Sequence, residues 1–110
     1  RSIHHNRVVN IPSSGIYIDA DKTYVHHIDI YNNRIDNITG YGIEVGAEWG
    51  GPVSDVNIYN NIISNAGLSG FASGDFTHGP VPRAKTNIKV FNNTFYNTGR
   101  LEGWGWGIIT

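Results

Sequence analysis

The chain has 110 residues, enough for one domain, and its formal net charge is −1. Lys and Arg are scattered without forming a basic stripe, which gives no electrostatic basis for binding nucleic acid. No apolar run reaches the ~18 residues that a membrane span requires, so no membrane span is predicted. The absence of Cys excludes disulfides and thiolate metal sites.

One motif occurs four times along the chain, and its copies align on paired polar residues of which the second is always Asn. An apolar residue follows each anchor two positions on, and another Asn follows four positions on. A Gly and an apolar residue come next. The anchors are Asn6, Asn33, Asn61 and Asn93. A period of ~30 residues is typical of a solenoid, in which each repeat packs only on its neighbours.

Each copy contains three short runs in which apolar and polar residues alternate, and no stretch keeps a helical period. In the second copy these runs are Ile28–Tyr31, Arg34–Asp36 and Gly42–Val45. We therefore predict an all-β chain, wound as a right-handed parallel β-helix of about four coils, with equivalent residues stacked ~4.8 Å apart. We interpret residues 1–110 as one domain excised from a longer solenoid, so the remaining coils of a parent protein are expected partners.

The repeated Asn residues fit the bends between strands. Asn tolerates the left-handed backbone of a tight bend, and stacked Asn side chains can hydrogen-bond from coil to coil. We predict one ladder at either His5/Asn32/Asn60/Asn92 or Asn6/Asn33/Asn61/Asn93, and a second at Asn10/Asn37/Asn65/Asn97. The predicted interior columns are Ile16/Ile43/Phe71/Ile108 and Val8/Ile35/Ile63/Phe95, and the predicted outward column is His4/Tyr31/Tyr59/Phe91.

The pattern apolar-x-apolar-x-Asn-Asn-x-apolar-x-Asn, followed by Gly-apolar-x-apolar, resembles the right-handed parallel β-helix repeat of the pectate-lyase-like superfamily. The resemblance covers essentially the whole chain. It implies a carbohydrate-active enzyme or a non-catalytic adhesive or structural solenoid, located outside the cell or in the bacterial periplasm. It also implies that the column of Gly-apolar strands forms the floor of a substrate cleft.

Loop insertions flank this strand column at Asp19–Val25, Gly46–Val53, Gly74–Thr86 and Arg100–Trp106. If Ile18 stacks on Val45, Asp21 falls above Glu48. A pair of carboxylates suits a glycoside hydrolase, because one acid protonates the leaving oxygen while the other serves as nucleophile or base. We predict a hydrolase acting on a polysaccharide or oligosaccharide, with Glu48 as general acid/base and Asp21 as its partner. This mechanism needs no cofactor.

Other side chains on these loops are candidates for holding the carbohydrate, since large rings stack on sugars and cations pair with acidic ones. They are Trp49, Trp104, Trp106, Lys22 and Arg83. The alternative is a calcium-dependent polysaccharide lyase or uronate epimerase. In that case Ca²⁺ would be held by Asp19, Asp21, Glu44 and Glu48, which are hard oxygen ligands. The resemblance then implies a proton-abstracting base, for which the candidates are Lys22, Arg83 and Lys85.

Two pairs of adjacent histidines, His4–His5 and His26–His27, lie at or before predicted strands. Because adjacent residues on a strand point to opposite sides, we expect neither pair to chelate a single metal ion by itself.

Overall fold

The computed structural model describes residues 1–74, 84–101 and 107–109, and within these ranges it contains strands and no helix. In chain order the strands are β1 (Ser2–His4), β2 (Arg7–Ile11), β3 (Ile16–Asp19), β4 (Val25–Tyr31), β5 (Arg34–Ile38), β6 (Ile43–Gly46), β7 (Val53–Tyr59), β8 (Ile62–Ala66), β9 (Phe71–Ala72), β10 (Lys85–Phe91), β11 (Thr94–Tyr96) and β12 (Ile108–Ile109). These described residues contain no helix with the length and hydropathy that crossing a bilayer requires.

Each strand from β1 to β9 pairs in parallel with the strand three places later in the chain. This gives three sheets of four strands, with orders β1-β4-β7-β10 (sheet A), β2-β5-β8-β11 (sheet B) and β3-β6-β9-β12 (sheet C). The predicted all-β parallel β-solenoid is therefore confirmed. Four stacked strands are separated by three steps along the axis, so the chain makes about three turns rather than about four.

Positive backbone φ angles mark the bends, and the non-glycine residues that carry them form three columns. Two columns are His5/Asn32/Asn60/Asn92 and Asn10/Asn37/Asn65/Asn97, where the sequence predicts bends. The third is His27/Asp55/Asn87, which lies inside β4, β7 and β10. Only one member of this third column is Asn, so the repeat of Asn residues does not reveal it.

A continuous asparagine ladder runs through Asn6, Asn33, Asn61 and Asn93. Each Nδ2 donates to Oδ1 of the next anchor, at 3.0, 3.0 and 2.9 Å along the column. The same Oδ1 atoms also accept the backbone N–H of the preceding anchor. Asn33 and Asn61 are buried, so the ladder satisfies polar groups that water cannot reach. Of the two predicted alternatives, this column and not that of Asn32 forms the ladder.

The second predicted ladder is interrupted. Asn37 donates to Asn10 at 2.8 Å and Asn97 donates to Asn65 at 2.7 Å, as predicted. Asn65, however, donates to the carboxylate of Asp36 at 2.8 Å. A charged acceptor makes the stronger bond, and it draws the Asn65 amide away from the column.

The interior columns have the predicted register, with Ile16, Ile43, Phe71 and Ile108 stacked in sheet C and Val8, Ile35, Ile63 and Phe95 in sheet B. Side chains of the middle coils are fully buried, whereas Ile108 at the last coil is 46% exposed. On the outside of sheet A the rings of His4, Tyr31, Tyr59 and Phe91 stack at centroid distances of 4.9, 5.1 and 5.1 Å. The outward column is confirmed.

Candidate functional site

The candidate site lies on the outer face of sheet C, where β3 and β6 pair. Ile18 is opposite Val45, as predicted, and this register places Tyr17 opposite Glu44 and Asp19 opposite Gly46. Val45 is fully buried, so alternation along the strands turns Tyr17, Asp19 and Glu44 outward. Tyr17, Asp19, Glu44 and Glu48 are called the acidic cluster below.

Gly46 leaves the space in which two members of the cluster meet. A Cβ atom at this position would lie 2.9 Å from the Tyr17 Oη and 3.4 Å from Oδ1 of Asp19. The phenol ring and the carboxylate therefore extend over the glycine. Asp19 Oδ1 also accepts the backbone N–H of Glu48 at 3.1 Å, which fixes the start of the following turn.

Glu48 reaches the cluster because it lies in a tight turn. A hydrogen bond of 3.1 Å from the Gly50 N–H to the Ala47 carbonyl closes this turn. The Glu48 carboxylate accepts a hydrogen bond from the Tyr17 hydroxyl. Burial, this hydrogen bond and the charges of Asp19, Glu48 and Glu44 all raise the pKa of Tyr17. The phenol consequently stays protonated as a donor over the whole neutral range.

Glu44 is a half-buried acid whose pKa lies above its usual range. Burial is the main cause, and the neighbouring charges of Glu48 and Asp19 act in the same direction. A hydrogen bond of 2.8 Å from Ser14 Oγ to Oε2 of Glu44 partly opposes the rise. The cluster thus contains a carboxyl group that keeps its proton to higher pH than an ordinary glutamate, and the neighbouring negative charges favour this state.

Asp21 has a different position from the one predicted. The Gly51 N–H donates to the Asp21 carbonyl at 2.9 Å, so the backbone aligns Asp21 with the end of the turn and not with Glu48. The coil that contains the Ala47–Gly50 turn has one more residue between sheets C and A than the coil before it, which shifts the register beyond Asp19. Asp21 is exposed, and it is not among the groups whose charges affect Tyr17 or Glu44.

The predicted carbohydrate-binding residues are only partly described. Trp49 follows Glu48 directly and is 51% exposed, and Lys22 is exposed on the loop after β3. Lys85 begins β10 in sheet A, opposite Val53. Arg83, Trp104 and Trp106 lie outside the described residues. Among the residues that the structure covers, no three His, Asp or Glu side chains are gathered so as to hold a metal ion, and this includes Asp19, Asp21, Glu44 and Glu48.

Two contributions to the site are missing from the sequence-based prediction. The pairing of Tyr17 with Glu48 depends on the turn that brings Glu48 back over β3. The Ser14–Glu44 bond joins residues of successive coils that have different positions in the repeat. The outward alternation of Tyr17 is a usable signal in the sequence, whereas Ser14 carries none.

The side chains of each histidine pair do not point to opposite sides, so the premise of the prediction for these pairs is wrong. Nδ1 of His4 lies 2.7 Å from Nδ1 of His5, and the same atoms of His26 and His27 are also 2.7 Å apart. The alternation rule fails because His5 and His27 have φ angles of 56° and 54°. This left-handed conformation turns both rings of a pair to the same side.

Comparison of the chain with protein-family models, curated proteins and solved structures gave no match.

Proposed function

We propose that the chain is a carbohydrate-active β-helix of the pectate-lyase-like kind, and that its acidic cluster hydrolyses a glycosidic bond of a polysaccharide or oligosaccharide. The observation that supports this most directly is the pair Glu44 and Glu48. Glu44 has a raised pKa, caused chiefly by burial, and the negative charge of Glu48 acts on it in the same direction. Glycoside hydrolysis requires one carboxyl group as the acid and a second as the nucleophile or base.

In the proposed mechanism Glu44 is the general acid and donates its proton to the leaving glycosidic oxygen. Glu48 is the partner carboxylate, acting as nucleophile or as the base that activates water. Glu48 keeps the role that the sequence gives it, and Glu44 replaces Asp21, because Glu44 and not Asp21 raises the pKa of Tyr17.

Two further side chains support this mechanism. Asp19 accepts the backbone N–H of Glu48 and so orients the turn that presents the carboxylate. Its negative charge also raises the pKa of Glu44 and helps that acid to keep its proton. Trp49, exposed beside Glu48, offers an apolar face on which a sugar ring can stack.

The test is an assay of new reducing ends on neutral and uronate-containing polysaccharides. Glu44→Gln and Glu48→Gln are each expected to lower kcat by about 10²–10⁴, the usual contribution of an acid or base. Asp21→Asn, an equivalent change of an exposed acid on the adjoining loop, is expected to leave kcat unchanged. If Asp21→Asn abolished activity while Glu44→Gln remained active, the result would favour Asp21 and Glu48 as the catalytic pair.

The product distinguishes hydrolysis from the alternative chemistry. An unsaturated, ultraviolet-absorbing sugar formed only with Ca²⁺ would indicate a lyase, with Asp19, Asp21, Glu44 and Glu48 as candidate ligands and Lys22 or Arg83 as base. Absence of any product from any of the polysaccharides would favour a non-catalytic solenoid.

A further inference from the structure

A second group of side chains lies on sheet A and shares no residue with the acidic cluster. We propose that the imidazoles of His26 and His27 bind a divalent copper ion through their Nδ1 atoms. The two atoms are 2.7 Å apart, and the ring planes are inclined at 83°. Both side chains are exposed, so an ion from solvent reaches them directly.

The coil itself imposes this arrangement. His27 belongs to the third column of positive φ, with Asp55 at 55° and Asn87 at 53° in the next coils. The neighbouring register, with His26 opposite Ser54 and Ile28 opposite Val56, fixes the chain on both sides of the bend. The rings therefore converge without any cost of ordering the backbone when a metal binds.

Contacts with Tyr24 also restrict the His26 ring. Tyr24 stacks on His26 with ring centroids 4.3 Å apart, and the Tyr24 hydroxyl is hydrogen-bonded to Ser54 Oγ at 2.5 Å. Ser54 Oγ in turn donates to Oδ2 of Asp55 at 2.7 Å. This chain of contacts limits rotation of the His26 ring and connects it to the nearby carboxylate.

Asp55 supplies the negative charge that a bound cation requires. Its carboxylate is one coil away from His27 in the same column and interacts electrostatically with both imidazoles. Hydrogen bonds from Asn87 Nδ2 to Oδ1 and from Ser54 to Oδ2 hold the carboxylate in place. In the proposed site Asp55 acts through its charge, and water completes the coordination.

The short separation of the nitrogen atoms favours copper over zinc. With metal–nitrogen bonds of about 2.0–2.1 Å, ligands at right angles are ~2.9 Å apart and ligands at the tetrahedral angle ~3.3 Å. The observed 2.7 Å is the length of a hydrogen bond between the two rings, and an ion that replaces the shared proton widens it least at the right angle, which is the tetragonal geometry of Cu²⁺. The ring that now carries a proton on Nδ1 changes to the Nε2–H tautomer, so neutral rings release no net proton.

The His4–His5 pair provides an internal comparison. Its Nδ1 atoms are also 2.7 Å apart, and its rings are inclined at 85°. The residue that follows His5 in its column is Asn32, whereas the residue that follows His27 is Asp55. The two pairs thus share a geometry and differ in the charge of the next coil, which predicts tighter binding at His26–His27.

Calorimetric titration with CuCl₂ at neutral pH, with electron paramagnetic resonance of the bound ion, tests the proposal. The unaltered chain is expected to show a tighter and a weaker site, each with two nitrogen ligands. His27→Asn is expected to remove the tighter site and His5→Asn the weaker one, since Asn keeps the bend. Asp55→Asn is expected to weaken the tighter site about threefold to tenfold.

Retention of the tighter site in His27→Asn would overturn the proposal, as would a copper signal without two nitrogen ligands.

The Arg1 amino group donates to the His27 carbonyl at 2.8 Å and is itself a possible copper ligand. Repeating the titration with an acetylated N-terminus removes this amine. Loss of the tighter site on acetylation would assign it to the amine and overturn the proposal, and its persistence supports the histidine pair. Because the histidine pair shares no residue with the acidic cluster and the readout is metal binding, both outcomes are independent of hydrolytic activity.

Discussion

The adjacent residues Asn32 and Asn33 have different roles at the bend between β4 and β5. Asn32 has a φ of 54° and is exposed, so its contribution is conformational. Asn33 is 2% exposed, and its amide bonds to both neighbouring coils. Pairing the two residues places a bend-forming side chain outside and a hydrogen-bonding side chain inside the same turn.

Replacing Asn33 by Ala tests the buried ladder. The change removes the Oδ1 that accepts from Asn6 and the Nδ2 that donates to the Ile3 carbonyl and to Asn61. Because each buried polar group left without a hydrogen-bond partner costs about 1–3 kcal/mol, we expect the free energy of unfolding to fall by about 2–4 kcal/mol. Urea denaturation measures the loss.

The matched control is Asn32→Gly, in which glycine keeps the positive φ at an exposed position. Its expected change is within about 0.5 kcal/mol, as for an ordinary surface substitution. A loss in Asn32→Gly as large as that in Asn33→Ala would mean that the destabilisation is not specific to the buried ladder.

Glu44 makes stability depend on pH in a defined direction. Its pKa is raised above the ordinary value of 4.5, so the folded chain binds this proton more strongly than the unfolded chain does. Stability is therefore unaffected below the ordinary pKa and decreases as pH rises from 4.5 through the raised value. Glu44→Gln, which cannot ionise, is expected to become progressively more stable than the unaltered chain over that interval.

Denaturation at a series of pH values from acid to neutral measures this difference. Ser14→Ala removes the hydrogen bond that lowers the pKa of Glu44, and so is expected to extend the upper end of the interval to higher pH. A stability difference between Glu44→Gln and the unaltered chain that does not vary with pH would contradict the raised pKa.

Among the strands, each strand of sheet C is directly preceded by a glycine, and the packing of successive coils depends on these glycines. A Cβ on Gly42 would lie 2.3 Å from the Gly70 carbonyl oxygen and 2.5 Å from Cγ2 of Ile63. The backbone of the next coil has no room to withdraw, since Ile43 donates its N–H to the same carbonyl. The repeated Gly therefore sets the spacing between coils.

Gly42→Ala is expected to lower the free energy of unfolding by more than about 3 kcal/mol, because the added methyl group meets backbone. Gly107→Ala is the matched control in the same column. There the nearest atom to an added Cβ is Cδ2 of Phe95 at 3.5 Å, an ordinary contact, so only a small change is expected. Thermal unfolding followed by circular dichroism compares the two, and a similar shift in both would refute the spacing role.

The same sheet shows where prediction from sequence succeeds. The pairing of Tyr17 with Glu44 and of Asp19 with Gly46 follows from the repeat, because equivalent positions must stack. Past Asp19 the repeat no longer determines position, and the turn after Ala47 moves Asp21 away from Glu48. The acidic face is therefore predictable, but the partners within it depend on loop geometry that a repeat does not encode.

At the scale of the whole molecule, the periodic sequence determines the architecture because every coil must bury the same face against its neighbours. The interior columns that begin with Ile16 and Val8 have the predicted register for this reason. The bend at His27 is not predicted, since its column contains His, Asp and Asn, and its neighbours continue a strand pattern. The convergence of His26 and His27 is missed with it.

The interior column Ile3/Ile30/Ile58/Val90 tests whether stability follows position along the axis. Ile58 is fully buried between two coils, so Ile58→Ala is expected to cost about 2–5 kcal/mol. Ile3 is packed on one side only, and the cost of Ile3→Ala is expected to be less than half as large. Urea denaturation measures both. An equally large loss at Ile3 would mean that the first coil is covered in solution, and sedimentation at two concentrations would then show whether a second copy covers it.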